Sequence, residues 1–162
     1  MSGCTAFRWP GGPGTRACSI AWRSKVRAVV KFEYLTLDDL LALAGDLGVS
    51  RVRDLGLLDA AAHRPKVSLM GQDAYPELHD KAAVLLESLV RNDPLVDGNK
   101  RLGWMSVFVF YGLNGYDLDA LEDDAYDLVI ASATGTLPYQ SVAERLAKWV
   151  RAEDAQPPVT GS

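Results

Sequence analysis

A chain of 162 residues, 48% of them hydrophobic, is long enough for one domain that buries a core without metal or disulfide staples. Its net charge of −4 hides an asymmetry: residues 1–31 hold Arg8, Arg16, Arg23, Lys25, Arg27 and Lys31 and no acid, so all 21 acids fall in the remainder. That acidic remainder argues against a nucleic-acid-binding surface, no apolar run approaches the ~18 residues of a membrane span, and two cysteines, Cys4 and Cys18, give no disulfide framework and fit a cytoplasmic protein.

The first 31 residues, rich in Gly, Pro and Arg, lack both periodic apolar positions and a run long enough for a secretory signal; they read as a flexible basic leader or as the product of a misplaced start. One domain is expected over 32–152. Thr36 with Asp39 three residues on approximates a capping box for a helix that Gly48 stops. Leu55 to His63 makes a second, short helix ended before Pro65. Lys66 to Tyr75 carries turn residues with little periodicity and leaves room for a β-hairpin.

From Pro76 to Asn92, apolar residues recur at Leu78, Ala82, Leu85, Leu86, Leu89 and Val90, a helical period with Pro76 in its first turn. Leu102 to Leu113 is apolar all round and predicts a buried central helix. Glu122 to Ala133, stopped by Gly135, and Tyr139 to Ala152 add two more helices, and residues 153–162, with Pro157 and Pro158, read as a disordered tail. His63 and His79 sit in predicted helices as surface or packing residues.

The chemistry is concentrated in Asp93-Pro94-Leu95-Val96-Asp97-Gly98-Asn99-Lys100-Arg101, which ends one helix and opens the next. Backbone N–H groups of Gly98, Asn99 and Lys100 would be the orphan donors of the second helix at its positive dipole end, a ready anion site. Glycine lets a phosphate approach the backbone, Lys100 and Arg101 add charge, and Asp97 suits the Mg²⁺ that accompanies a nucleotide. The plainer reading is a helix junction in which Asp97 caps, Gly98 relieves the turn and both bases are solvated.

This run resembles the signature of the Fic/Doc family, His-x-Phe-x-(Asp/Glu)-Gly-Asn-(Gly/Lys)-Arg, and Lys100 with Trp104 is similar to its Doc (death on curing) toxin branch. Arg53 to Asp59 and Asp73 to Ala83 resemble the segments that precede the signature in Doc-like proteins, and Asn114-Gly115 closes the signature helix as in that family. The resemblance implies an all-α orthogonal helical bundle around a buried central helix, with a small β-hairpin flap at 66–75 that positions the target's peptide. It also implies an ATP- and Mg²⁺-dependent phosphotransferase acting on a Ser or Thr of a translation factor, elongation factor Tu in the known case, as the toxin of a toxin–antitoxin pair. Asp97 would bind Mg²⁺, Gly98, Asn99 and Lys100 would cradle phosphates, Arg101 would neutralise developing charge and Arg91 would line the same pocket. Lys100, where AMP-transferring members have glycine, implies phosphoryl transfer. No glutamate of the chain is followed by Gly or Asn, as the family's self-inhibitory helix requires, so restraint is expected from a Phd-like antitoxin whose disordered segment fills the groove.

One departure stands out: Asp93 occupies the place of the family's histidine, which takes the proton from the target hydroxyl. Aspartate is shorter than histidine and roughly two and a half units less basic in their reference states, so the expected enzyme is weakened. A non-catalytic Doc-fold module that binds nucleotide or antitoxin, and an AMP-transferring Fic enzyme, are the alternatives.

Overall fold

The computed structural model describes residues 31–152; the leader and the tail expected from sequence lie outside them, apart from Lys31. Six α-helices fill the described residues: α1 (Leu37–Asp46), α2 (Leu55–His63), α3 (Leu78–Arg91), α4 (Asn99–Leu113), α5 (Glu122–Thr134) and α6 (Tyr139–Trp149). None is long and apolar enough to cross a membrane.

The local signals explain most boundaries. Thr36 Oγ1 accepts from the Asp39 N–H at 3.2 Å while the Thr36 N–H donates to Asp39 Oδ2 at 2.8 Å, a complete capping box, and Gly48 takes the left-handed conformation just past the end of α1. Asp54 caps α2 through Leu57. Gly135 ends α5 in the left-handed region, and Asn114 and Gly115 end α4. Pro76 sits before the N-cap Glu77 of α3 rather than in its first turn, which leaves its fixed φ outside the helix.

The bundle wraps a buried central helix, and that helix is α3. Eleven of its side chains are buried, including Lys81, Glu87 and Ser88, and it packs against α2, α4, α5 and α6. Helix α4, which its apolar sequence places at the centre, buries Leu102, Val107, Phe110 and Tyr111 on one face and leaves Phe108 and Leu113 about half exposed. Gly103 lets the two helices approach, since a Cβ there would lie 2.7 Å from Val90 Cγ1.

Polar groups buried in α3 are satisfied. Lys81, fully buried, donates to the Pro65 carbonyl and to Asp73 Oδ2, each at 3.1 Å, and its ammonium lies over the rings of Phe32 and Tyr34. Glu87 receives Arg64 at 2.7 Å and Arg91 at 3.4 Å. Lys81 thereby ties down the expected hairpin, β1 (Ser68–Leu69) with β2 (Gln72–Asp73), whose two turn residues Met70 and Gly71 both have positive φ as a type I′ turn demands.

A second small sheet is not signalled by the sequence. The last helix ends at Trp149 instead of running to Ala152, because Val150–Ala152 (β4) pairs antiparallel with Tyr116–Leu118 (β3), and Arg151 closes on Asp119 at 2.7 Å.

His79 packs on Tyr111, its Nδ1 lying 2.9 Å from the phenol oxygen. Burial of the imidazole outweighs the attraction of Glu77 and Asp80 and lowers its pKa, while burial raises that of Tyr111, so the phenol donates and a neutral imidazole accepts. The folded state then binds fewer protons than the unfolded one, and stability held above the ordinary histidine value of about 6.5 is lost as pH falls through it. Thermal melting from about pH 7.5 to 5.5 is expected to show a falling midpoint that His79→Gln flattens; the same slope in the variant assigns the loss to other groups.

Candidate functional site

The junction between α3 and α4 is built from two strands of backbone that brace each other. Segment 51–54 runs antiparallel to 94–96: the Arg53 and Asp54 N–H groups donate to the Pro94 carbonyl at 2.8 and 3.0 Å, Val96 N–H donates to the Arg51 carbonyl at 2.9 Å, and Val52 bridges Leu95. Inside the loop Asn99 closes a ring with Leu95, its Oδ1 accepting from the Leu95 N–H at 2.8 Å and its Nδ2 donating to the Leu95 carbonyl at 3.0 Å. Both residues are buried. The Asn99 side chain therefore shapes the loop, leaving only its backbone N–H for an anion.

Gly98 is the N-cap of α4, left-handed at φ +84°, and no side chain caps the helix. The plainer reading, with Asp97 as the cap, is thus not what the loop does. A Cβ on Gly98 would lie 2.4 Å from Val49 Cγ1, so both its conformation and its surroundings require glycine. The first-turn N–H groups of Asn99, Lys100 and Arg101 are left facing outward, at the positive end of the helix.

They open onto a cavity of about 370 Å³ lined by Arg53, Asp93, Leu95, Val96, Asp97, Gly98, Asn99, Lys100 and Arg101. The structure thus brings together Asp93, Asp97, Gly98, Asn99, Lys100 and Arg101 as the sequence implies. Arg91 is placed elsewhere: it reaches back one turn to Glu87 and lies over Gly135, where a Cβ would meet its guanidinium at 3.3 Å. Arg53 is the residue that the sequence reading left out of the site. Arg53, Lys100 and Arg101 form no ion pair with a described carboxylate.

Asp93 is exposed and has φ 47°, an uncommon conformation for a residue other than glycine, and one that precedes a proline. The hydrogen bonds to Pro94 hold this turn from the other side.

Three cations without an ion pair among the described residues, and an uncapped helix terminus, suit a polyphosphate. Mg²⁺ takes one or two carboxylates and completes its shell with phosphate and water oxygens. Asp97 is the carboxylate nearest in sequence to the helix terminus.

A second groove of about 490 Å³ adjoins the first, sharing Lys100 and Arg101 and walled by Leu47, Trp104, Met105, Ala120, Glu122, Ala125, Tyr126 and Val129. It is mostly apolar, and Tyr126 beside it is 65% exposed.

Residues 34–111 match the model of the Fic/DOC family. The chain is also 47% identical over 125 residues, 74% of its own length and 95% of the other's, to a protein of Mycolicibacterium smegmatis named "Toxin Doc".

Gly98→Ala is expected to destabilise the domain by about 1–3 kcal/mol, through the left-handed φ and the contact with Val49. Gly112→Ala, in open space within α4, should stabilise it by roughly 0.5–1 kcal/mol. Chemical denaturation of both variants checks the pair; equal effects would show that residue 98 does not need glycine.

Proposed function

Because the chain belongs to the Fic/Doc family, on its Doc toxin branch, we propose that it is the toxin of a toxin–antitoxin pair and a Mg²⁺- and ATP-dependent phosphotransferase weakened at its base. The observation that carries this reading is the uncapped terminus of α4, opening with Lys100, Arg101 and Asp97 onto one cavity. When bound there, ATP with Mg²⁺ supplies the phosphoryl group. Asp97 holds the metal, the N–H groups of the first turn and the two bases hold phosphate oxygens, and Lys100 fills space that glycine leaves open in AMP-transferring members. A Ser or Thr hydroxyl of a translation factor, elongation factor Tu as the model substrate, is presented by the β1–β2 hairpin.

The reaction forms a bond from the hydroxyl oxygen to the γ-phosphorus and breaks that phosphorus's bond to the bridging oxygen, leaving ADP. The hydroxyl proton goes to the Asp93 carboxylate. A short, weakly basic acceptor in this place lowers the rate by about 10²–10⁴ relative to a well-matched base. Binding does not depend on it, because other residues hold the phosphate and the metal in this reading.

The partner that restrains such a toxin is a Phd-like antitoxin. We assign its docking segment to the apolar groove beside Lys100 and Arg101, where a disordered segment that folds on binding would bury Trp104, Met105 and Val129 and cover the phosphate cavity. Tyr126→Glu, at a side chain that lines this groove and is 65% exposed, is expected to abolish co-purification with an antitoxin encoded next to the chain, with the melting midpoint of the toxin kept; a complex that survives the change moves the antitoxin to another surface.

Transfer from γ- and α-labelled ATP into purified elongation factor Tu tests the catalytic reading. Asp93→His should raise γ-label transfer by about 10²–10⁴, adding Asp97→Ala should abolish it, and adding Lys100→Gly should shift label toward the α-phosphate. If Asp93→His binds ATP and Mg²⁺ yet transfers neither label, the chain is a non-catalytic binding module.

A further inference from the structure

We propose that Arg53 is a phosphate ligand of this cavity, supplied from outside the run 93–101; the proposal rests on the nucleotide reading above. Every other lining residue belongs to the run 93–101, and Arg53 alone comes from a different part of the chain. Its main chain is fixed to the loop it faces, by the bonds to Pro94 and the neighbouring bridge of Val52 to Leu95. Its side chain is fixed at one point, where Nη2 donates to the Asn92 carbonyl at 3.0 Å. Asn92 is the C-cap of α3, so this bond draws the guanidinium toward the negative end of that helix while its fork remains free.

A guanidinium has five N–H donors in a rigid planar fork. One is engaged here, and no described carboxylate lies within ion-pair distance, although Asp93 lines the same cavity. The cavity that Arg53 lines is lined also by Lys100 and Arg101, in the uncapped first turn of α4. Paired donors of this kind match two oxygens of a phosphate. A third cation beside Lys100 and Arg101 adds an attraction that grows with the charge of the ligand, so it weighs more on di- and triphosphates than on a monophosphate. Arg53 therefore sets the preference of the cavity for di- and triphosphates over monophosphates.

The test is calorimetric titration of the full chain with ATP, ADP and AMP, each with Mg²⁺, for wild type, Arg53→Gln, Arg53→Lys and the neighbouring control Arg51→Gln, with melting curves for all four. The expected result is a loss of about ten- to a hundredfold for ATP and ADP in Arg53→Gln, a much smaller loss for AMP, partial recovery in Arg53→Lys and wild-type behaviour in Arg51→Gln. Equal ATP affinity in wild type and Arg53→Gln overturns the proposal and leaves the nucleotide reading intact. So does an equal loss for all three nucleotides with a lowered melting midpoint, which would make Arg53 a loop brace. A wild type that binds none of the three overturns the nucleotide reading and this proposal with it.

Discussion

Asn99 commits both ends of its side-chain amide to the backbone of one residue, Leu95, and the candidate site depends on that ring. With Leu95 buried against Val52 and Asn99 already the first residue of α4, the chain between them has only three residues in which to reverse. Gly98 makes the reversal in the left-handed region, its bare α-carbon against Val49. The usual solution at a helix start, a Ser, Asp or Asn side chain bonded to the first-turn N–H groups, is worth roughly 0.5–2 kcal/mol. Here the cap position is Gly98, which has no side chain to offer, and the amide of Asn99 is turned to the loop. The helix start is left under-satisfied by the loop, and in the proposed reading a phosphate oxygen completes it.

A terminus of this kind is useful only if it is held still, and α3 does that. Its buried face extends all the way round because its charged members are paired: Lys81 with Pro65 and Asp73, and Glu87 with Arg64 and Arg91. The same Lys81 contact holds the hairpin, so the central helix positions both the signature loop, at its C-terminal end, and the strand pair near its start. The close crossing at Gly103 fixes α4 against α3 within the first turns after the loop.

How much of this was legible in the sequence follows from the range of the interactions. Thr36 with Asp39, Gly48, Gly135 and the signature run act over a few residues, and each signal names its own partner. The central helix was misplaced because composition alone ranks Leu102–Leu113 as the more apolar stretch, and only the pairing of Lys81 and Glu87 with distant groups makes α3 compatible with full burial. Strand β4 was missed because the apolar stripe Val142, Leu146, Trp149 and Val150 fits a continuing helix; its partner β3 lies more than thirty residues earlier and wins by pairing. Arg91 sits two residues from Asp93 in sequence but on the turn that faces Glu87, and the local spacing does not reveal which way it turns. Arg53 had a signal, its place in a segment similar to those of Doc-like proteins, but its approach to the loop is a tertiary fact.

The arrangement also separates holding a ligand from acting on it. The groups suited to phosphate and metal, namely the helix N–H donors, Lys100, Arg101 and Asp97, are ordered by the Asn99 ring and by Val49 beneath Gly98. Asp93 belongs to a different turn, held by bonds from Arg53 and Asp54 to Pro94 and carrying its own uncommon φ. Neither set of bonds passes through the side chain of residue 93. A change of that side chain thus leaves the cavity's framework in place, so in the proposed reading a chain with aspartate there keeps its nucleotide and its antitoxin while the proton transfer slows.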